Sequence, residues 1–224
     1  MSAFRLVVVI SGRGSNLDSL IRYQRQGGYQ IAAVISNRPQ AAGLEIARQA
    51  GLDTAVLDHQ SFENREQFDR ELAALIDRRQ PDLVVLAGFM RILGAEFVSR
   101  FEGRLINIHP SLLPQFPGIK THERALQAGV QWHGASVHFV NAEVDGGPVI
   151  GQVRMRLRPD DDAASVADRL LPLEHRLLPR VVALMAEGRV SYAENKTCLD
   201  GAPCAEPLVL NVDADCWEPG RGDP

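Results

Sequence analysis

The run Asn107-Ile108-His109-Pro110 places an amide and an imidazole two residues apart. On an extended strand residues i and i+2 point to one side, so Asn107 and His109 share a face while Ile106 and Ile108 share the other. An amide donor beside an imidazole suits stabilising a developing oxyanion and moving a proton. The plainer reading makes both of them strand-end residues satisfied by nearby backbone groups, and spacing alone leaves the two readings open. Asp145 stands in the tight turn Asp145-Gly146-Gly147-Pro148. An aspartate there is either an Asx-type turn former or a carboxylate presented to His109, orienting the ring and raising its pKa. Ser136 and His138 share one face of a nearby strand and read as hydrogen-bonded strand residues.

A second group of residues suits an anion. Gly12-Arg13-Gly14-Ser15-Asn16 lies between a buried apolar run and the start of a helix, where backbone amides point at a ligand and glycine lets a phosphate come close. Leu17 stands where a dinucleotide fingerprint has its third glycine, Ser36 and Asn37 stand where it has its acid, and no lysine follows in the Walker position. A phosphate monoester therefore fits better than a dinucleotide; a bare strand-to-helix turn with Ser15 as N-cap is the alternative. Gly88-Phe89-Met90-Arg91-Ile92-Leu93 sets apolar residues around a glycine, suited to lining a flat aromatic pocket or to packing on the core. On spacing alone Arg65 is a solvated charge, and composition makes no case for Glu174 and His175, which lie between two prolines.

These residues need a scaffold, and the hydrophobic pattern implies one. Residues 6–10, 31–35, 54–57, 83–87 and 105–108 are short apolar runs, as in strands buried on both faces. Between them lie stripes at helical spacing: Leu17, Leu20 and Ile21; Leu44, Ile46, Ala47 and Ala50; Phe68, Leu72, Leu75 and Ile76. Such alternation means right-handed crossovers and an α/β fold with a doubly wound, mostly parallel sheet flanked by helices. The strand of Asn107 and His109 ends at the carboxyl edge, where open α/β sheets place ligands. After Pro110 the pattern changes. Strands over 135–140 and 149–157 are joined by the turn at 143–148, so the later strands are partly antiparallel. A long helix over 165–187 carries Pro172 and Pro179, which are expected to kink it. From Gly201 onward Pro, Gly and Asp predominate, so residues 201–224 read as a loosely attached, flexible tail and residues 1–200 as a single domain.

With 45% hydrophobic and 23% charged residues over 224 positions, the chain can bury a large core and is not globally disordered. A net charge of -4 gives no footprint for nucleic acid. The run at 6–10 is too short for a signal-peptide core or a membrane span. Cys198, Cys204 and Cys216 have neither a disulfide framework nor metal-ligand spacing, so a cytoplasmic chain without a metal site is expected.

Four segments together resemble the glycinamide ribonucleotide formyltransferases, the folate-dependent transformylases of purine synthesis: ISGRGSN (10–16), LAGFMRIL (86–93), LINIHPSLLPQFPGIKTHERAL (105–126) and HGASVHFVNAEVDGGPVI (133–150). The resemblance implies a Rossmann-like formyltransferase fold with a phosphate-binding half (1–110) and a catalytic, folate-binding half (111–200). It implies that Asn107, His109 and Asp145 are the catalytic trio and that Gly14, Ser15 and Asn16 hold the phosphate. Leu171, Pro172, Leu173 and Glu174 then meet the ribose and glycinamide. Met90, Arg91, Ile92 and Leu93, with Asn141, Ala142, Glu143 and Val144, match the folate pocket, which Asn107 and Asp145 adjoin, and Arg65 matches a residue near the cofactor's tail. Arg13 departs from members that carry Asn there, and Lys120 sits at a variable place. The implied partners are glycinamide ribonucleotide (GAR) and 10-formyltetrahydrofolate, with no nucleic acid, no membrane and a monomer or weak homodimer. Two related enzymes are the alternatives. Formyltetrahydrofolate deformylase carries an N-terminal regulatory domain, for which the first strand leaves no room. Methionyl-tRNA formyltransferase carries a C-terminal RNA-binding domain and a basic surface, which the charge disfavours. A non-catalytic nucleotide-binding module explains the phosphate loop but not the trio.

Overall fold

The computed structural model of the chain describes residues 3–218 and 220. Its first half alternates strands and helices: β1 (Phe4–Ile10), α1 (Ser15–Tyr23), β2 (Tyr29–Ser36), α2 (Gly43–Gln49), β3 (Thr54–Val56), α3 (Arg65–Asp77), β4 (Leu83–Leu86), α4 (Ala95–Arg100) and β5 (Leu105–His109). There follow α5 (Thr121–Gln127), β6 (Trp132–Phe139), β7 (Val149–Arg156) and α6 (Ala163–Ala186). Five short strands close the described chain: β8 (Val190–Ala193), β9 (Lys196–Leu199), β10 (Ala202–Pro203), β11 (Leu208–Asn211) and β12 (Cys216–Glu218).

The unbroken apolar run of β1 is explained by what lies on either side of it. Leu6, Val8 and Ile10 enter one core with Leu17 and Leu20 of α1 and Leu177 and Val181 of α6. Val7 and Val9 enter a second core with Phe68, Leu72 and Ile76 of α3 and Phe97 and Phe101 around α4. A strand with both faces covered has no solvent side to keep polar. The nine-stranded sheet runs β12-β11-β7-β6-β5-β4-β1-β2-β3. β1 to β5 pair in parallel, and β6 and β7 add antiparallel strands as expected. The winding direction reverses between β1 and β4, so the segments following these two strands part and leave a crevice at the carboxyl edge. The glycine-rich loop after β1 and the 88–94 loop after β4 flank it.

The long helix is one 24-residue element that contains both Pro172 and Pro179. It starts two residues before the sequence-based bound because Asp162 and Ser165 form a reciprocal capping box: the Ser165 N–H donates to Asp162 Oδ1 at 2.8 Å and the Asp162 N–H to Ser165 Oγ at 2.9 Å.

One expectation from the sequence is corrected. The segment after Gly201 is not a loose tail as far as residue 218, since β11 pairs in parallel with β7 and β12 pairs antiparallel with β11. Leu208 and Leu210 are buried in the first core. Trp217 lies over Gly151, where a Cβ would come within 3.0 Å of the indole. Asp215 binds Arg176 at 2.7 Å and also Arg180, tying the segment to α6. The Pro-, Gly- and Asp-rich composition describes its turns; the Leu-Val-Leu strand between them is too short to show a period. Residues 219 and 221–224 of the expected tail lie outside the described residues. Leu210→Ala should lower the unfolding free energy by about 2–4 kcal/mol, read as a lower urea midpoint at unchanged m. A loss below about 0.5 kcal/mol would show that the strand is not part of the cooperative unit.

Candidate active site

β5 presents Asn107 and His109 on one side, and β6 pairs against it so that His138 lies opposite Asn107 and Ser136 opposite His109. The loop between β6 and β7 then turns back over this edge. Asp145 adopts φ 53°, a left-handed conformation that aspartate tolerates better than most residues. Gly147 behind it is required for space, since a Cβ would stand 1.9 Å from the Phe139 carbonyl oxygen. The carboxylate of Asp145 thereby comes to a point shared by four donors or rings. Its Oδ2 accepts from the Gly118 N–H at 2.8 Å and lies 3.3 Å from His109 Nδ1. Its Oδ1 lies 3.5 Å from Asn107 Nδ2 and 3.6 Å from His138 Nε2.

The partners assign the protons. His138 Nδ1 is 2.8 Å from the Phe139 carbonyl and donates to it, while its Nε2 lies 3.2 Å from Asn107 Nδ2 and 3.6 Å from Asp145 Oδ1. His109 Nε2 is 3.0 Å from the Phe116 carbonyl and likewise donates, while its Nδ1 faces the Asp145 carboxylate. Both nitrogens of His109 thus face acceptors, a surrounding that suits the doubly protonated ring. Burial nevertheless outweighs it. Loss of solvent pulls the His109 pKa below its ordinary value, against the opposing pull of the Phe116 carbonyl and of Asp145. This corrects the expected raised pKa: Asp145 acts in that direction, but the net shift is downward. For Asp145, burial pushes the carboxyl up, yet His138, Gly118 and the His109 charge together hold it below the usual carboxylate value.

His138 is the site residue that sequence reasoning missed, because only the antiparallel register of β5 and β6 brings it to Asp145. Ser136 is the structural residue expected: it donates to the Ser111 carbonyl at 2.7 Å and accepts from the Leu113 N–H and Gln152 Nε2, each at 3.0 Å. A second imidazole pair lies nearby, His122 Nδ1 being 2.9 Å from His133 Nε2. Burial lowers both pKa values, that of His133 to about 4; the His109 charge adds to both shifts and the His122 charge to that of His133.

Across the crevice, Gly14 has φ 80° and lies so close to α2 that a Cβ would meet the Gly43 Cα at 2.5 Å. Ser15 is the first helical residue of α1 rather than its cap, and no side chain caps that terminus. Its first N–H groups are therefore left for a ligand. Asn16 Nδ2 donates to Glu174 Oε2 at 2.9 Å, which brings the 171–174 stretch of α6 onto the loop. Burial raises the pKa of Glu174 in spite of that bond and of Arg13. Leu171 and Leu173 are half-buried, whereas Pro172 is exposed.

Apolar side chains border the crevice in the open. Met90, Ile92 and Val144 are 71%, 62% and 52% exposed. The guanidinium of Arg91 lies 4.9 Å from the centre of the Phe68 ring, and Leu93 packs on the second core. Asn141 Oδ1 accepts from the Glu143 N–H at 3.0 Å, shaping the loop on which Ala142 and Glu143 are exposed. Arg65 stands apart from the trio, at the start of α3, on a cavity of about 350 Å³ shared with Asp69, Gly94, Phe97 and Arg100.

Residues 4–182 match the Formyl transferase family. The chain is 48% identical over 198 residues to phosphoribosylglycinamide formyltransferase of Escherichia coli K12, covering 88% of this chain and 93% of that one. It is 43% identical over 197 residues to the human trifunctional purine biosynthetic protein adenosine-3, covering 87% of this chain and 20% of that one. The solved phosphoribosylglycinamide formyltransferase of Coxiella burnetii superposes with a TM-score of 0.87 at 46% identity, over 91% of this chain and 97% of that one.

The buried histidines set a pH dependence of stability. His109, His122 and His133 all bind protons less readily folded than unfolded. The unfolded chain therefore takes up more protons as pH falls below about 6.5, and stability is lost in that direction at up to about 1.4 kcal/mol per pH unit for each histidine. Urea unfolding at steps from about pH 7 to 4.5 should show this decline, and His133→Gln should flatten it. An unchanged slope in the variant would contradict the burial argument.

Proposed function

The chain belongs to the Formyl transferase family, and from that premise we propose that it transfers the formyl group of 10-formyltetrahydrofolate to the primary amine of GAR, giving formyl-GAR and tetrahydrofolate. The observation that carries this reading is the convergence of Asn107, His109 and His138 on the Asp145 carboxylate. It lies at the same sheet edge as the uncapped helix terminus that suits the ribonucleotide phosphate. In the reaction the amine nitrogen attacks the formyl carbon, a C–N bond forms, and the carbonyl oxygen becomes an oxyanion. Asn107 donates to that oxygen, and His109 does so once its Nε2–H turns to it from the Phe116 carbonyl. As the oxyanion forms His109 carries positive charge, which burial disfavours and Asp145 beside Nδ1 offsets. Collapse then breaks the bond to the folate nitrogen, and the proton released by the amine passes to that nitrogen by way of the His109–Asp145 pair.

Glu174 and the 171–174 stretch are assigned to the ribose and glycinamide, with Gly14, Ser15 and Asn16 at the phosphate. Met90, Arg91, Ile92 and Leu93, together with Asn141, Ala142, Glu143 and Val144, are assigned to the pterin and its linker, and Arg65 to the tail. The exposed apolar surface at Met90, Ile92 and Val144 supports the assignment, since a flat ring laid there removes it from water.

Mixing the protein with 10-formyltetrahydrofolate should produce tetrahydrofolate, followed spectroscopically, only when GAR is present. Equal production without it would mean a hydrolase and refute the transferase. Removal of one oxyanion donor in Asn107→Ala should cost about 100- to 1000-fold in kcat. Asp145→Asn should abolish most turnover while calorimetry still detects GAR binding; near-normal turnover would refute the role given to Asp145.

A further inference from the structure

The 90–94 loop, assigned above to the folate, is fastened at its two ends by side chains that have no part in the chemistry. At its start the Met90 N–H donates to Ser11 Oγ at 2.9 Å, and that hydroxyl donates in turn to Asn37 Oδ1 at 2.7 Å. At its end the Gly94 N–H donates to Asp69 Oδ2 at 2.7 Å. Ser11 and Asp69 are both buried. Gly94 leaves room for this bond, because a Cβ there would come within 3.0 Å of Asp69 Oδ2. Phe68, the residue before Asp69 on α3, carries the Arg91 guanidinium on its ring, and the charges of Arg65 and Arg91 face the Asp69 carboxylate.

We propose that Asp69 and Ser11 are positioning residues that hold the 90–94 loop in the shape that receives the folate, and that Ser11 makes this loop and the phosphate loop share one fastening. The proposal rests on the reading of the loop as folate-binding. Its physical content is preorganisation. Met90 and Ile92 of the loop are exposed, and its packing is limited to Arg91 on Phe68 and Leu93 on the second core, so two hydrogen bonds to its end N–H groups help to hold it at low entropic cost before the ligand arrives. Burial raises the Asp69 pKa, while this bond and the charges of Arg65 and Arg91 favour its carboxylate form. Ser11 immediately precedes Gly12, so its hydroxyl links the end of β1, the end of β2 and the loop after β4. These are the segments that border the crevice.

The two fastenings differ in what they should do. Asp69 reaches only the folate loop, whereas Ser11 reaches both loops. Steady-state kinetics of the full chain, with the KM of each substrate measured separately, should show Asp69→Ala raising the folate KM about ten-fold or more while the GAR KM moves less than about two-fold. Asp69→Asn, whose amide oxygen still accepts from Gly94, should restore most of the loss, and Ser11→Ala should raise both KM values. An unchanged folate KM in Asp69→Ala, an equal rise in both constants, or no rescue by asparagine would overturn the assignment. If Asp69→Ala does not fold, Ser11→Ala and Asp69→Asn decide it: an unchanged folate KM in the first, or a loss in the second as large as that in Ser11→Ala, would overturn it. Calorimetric titration of wild type and variants with tetrahydrofolate separates this proposal from the one it rests on. Wild type that neither turns over nor binds tetrahydrofolate refutes the folate reading itself, whereas wild type that binds it as tightly as Asp69→Ala does refutes only the fastening.

Discussion

A partly buried carboxylate is costly unless it is hydrogen-bonded, and much of the catalytic edge can be understood as satisfying that demand at Asp145. The Gly118 N–H fixes one oxygen, and the amide of Asn107 and the rings of His109 and His138 surround the rest of the group. These groups come from three different pieces of chain, so the position of Asp145 ties together β5, β6, the 111–120 segment and the loop before β7. The same contacts that make the site chemically competent define its geometry.

Asp145 and His109 also oppose one another in a useful way. Burial drives the imidazole toward neutrality, and the carboxylate and the Phe116 carbonyl draw it toward the charged form. These opposing pulls act on the one ring that the proposed reaction asks to accept and return a proton. The helix terminus across the crevice works differently. Its field is fixed, so it suits binding a constant charge rather than moving one.

Much of this was legible in the sequence because it depends on local periods. The doubly covered strand β1 shows as an unbroken apolar run, α3 as a stripe of Phe68, Leu72 and Ile76, and the common face of Asn107 and His109 as a spacing of two. The turn around Asp145 has glycines where a tight loop needs them. What stayed hidden depends on pairing between distant segments. Whether His138 or its neighbour lands opposite Asn107 is decided by a register that no local pattern encodes. The net direction of the His109 pKa depends on how much solvent the fold removes. β11 is four residues long, and its partner β7 lies more than fifty residues earlier. Ser11 and Asp69 are ordinary residue types that gain meaning only from the backbone groups they reach.

The placement of β11 has a further consequence for how the molecule meets its neighbours. Without it, β7 would end the sheet with eight residues of extended backbone, a row of free N–H and C=O groups on which a strand of another chain can add. With β11 paired at Gly151 and Gln152 that row is interrupted near its middle, and the strand order of the large sheet ends on each side in a strand of only three residues, Cys216–Glu218 and Thr54–Val56. So short a template gives an incoming strand few hydrogen bonds to gain. The last turns of the described chain thus act as a selvedge, protecting a wide, strongly apolar sheet from edge-to-edge aggregation.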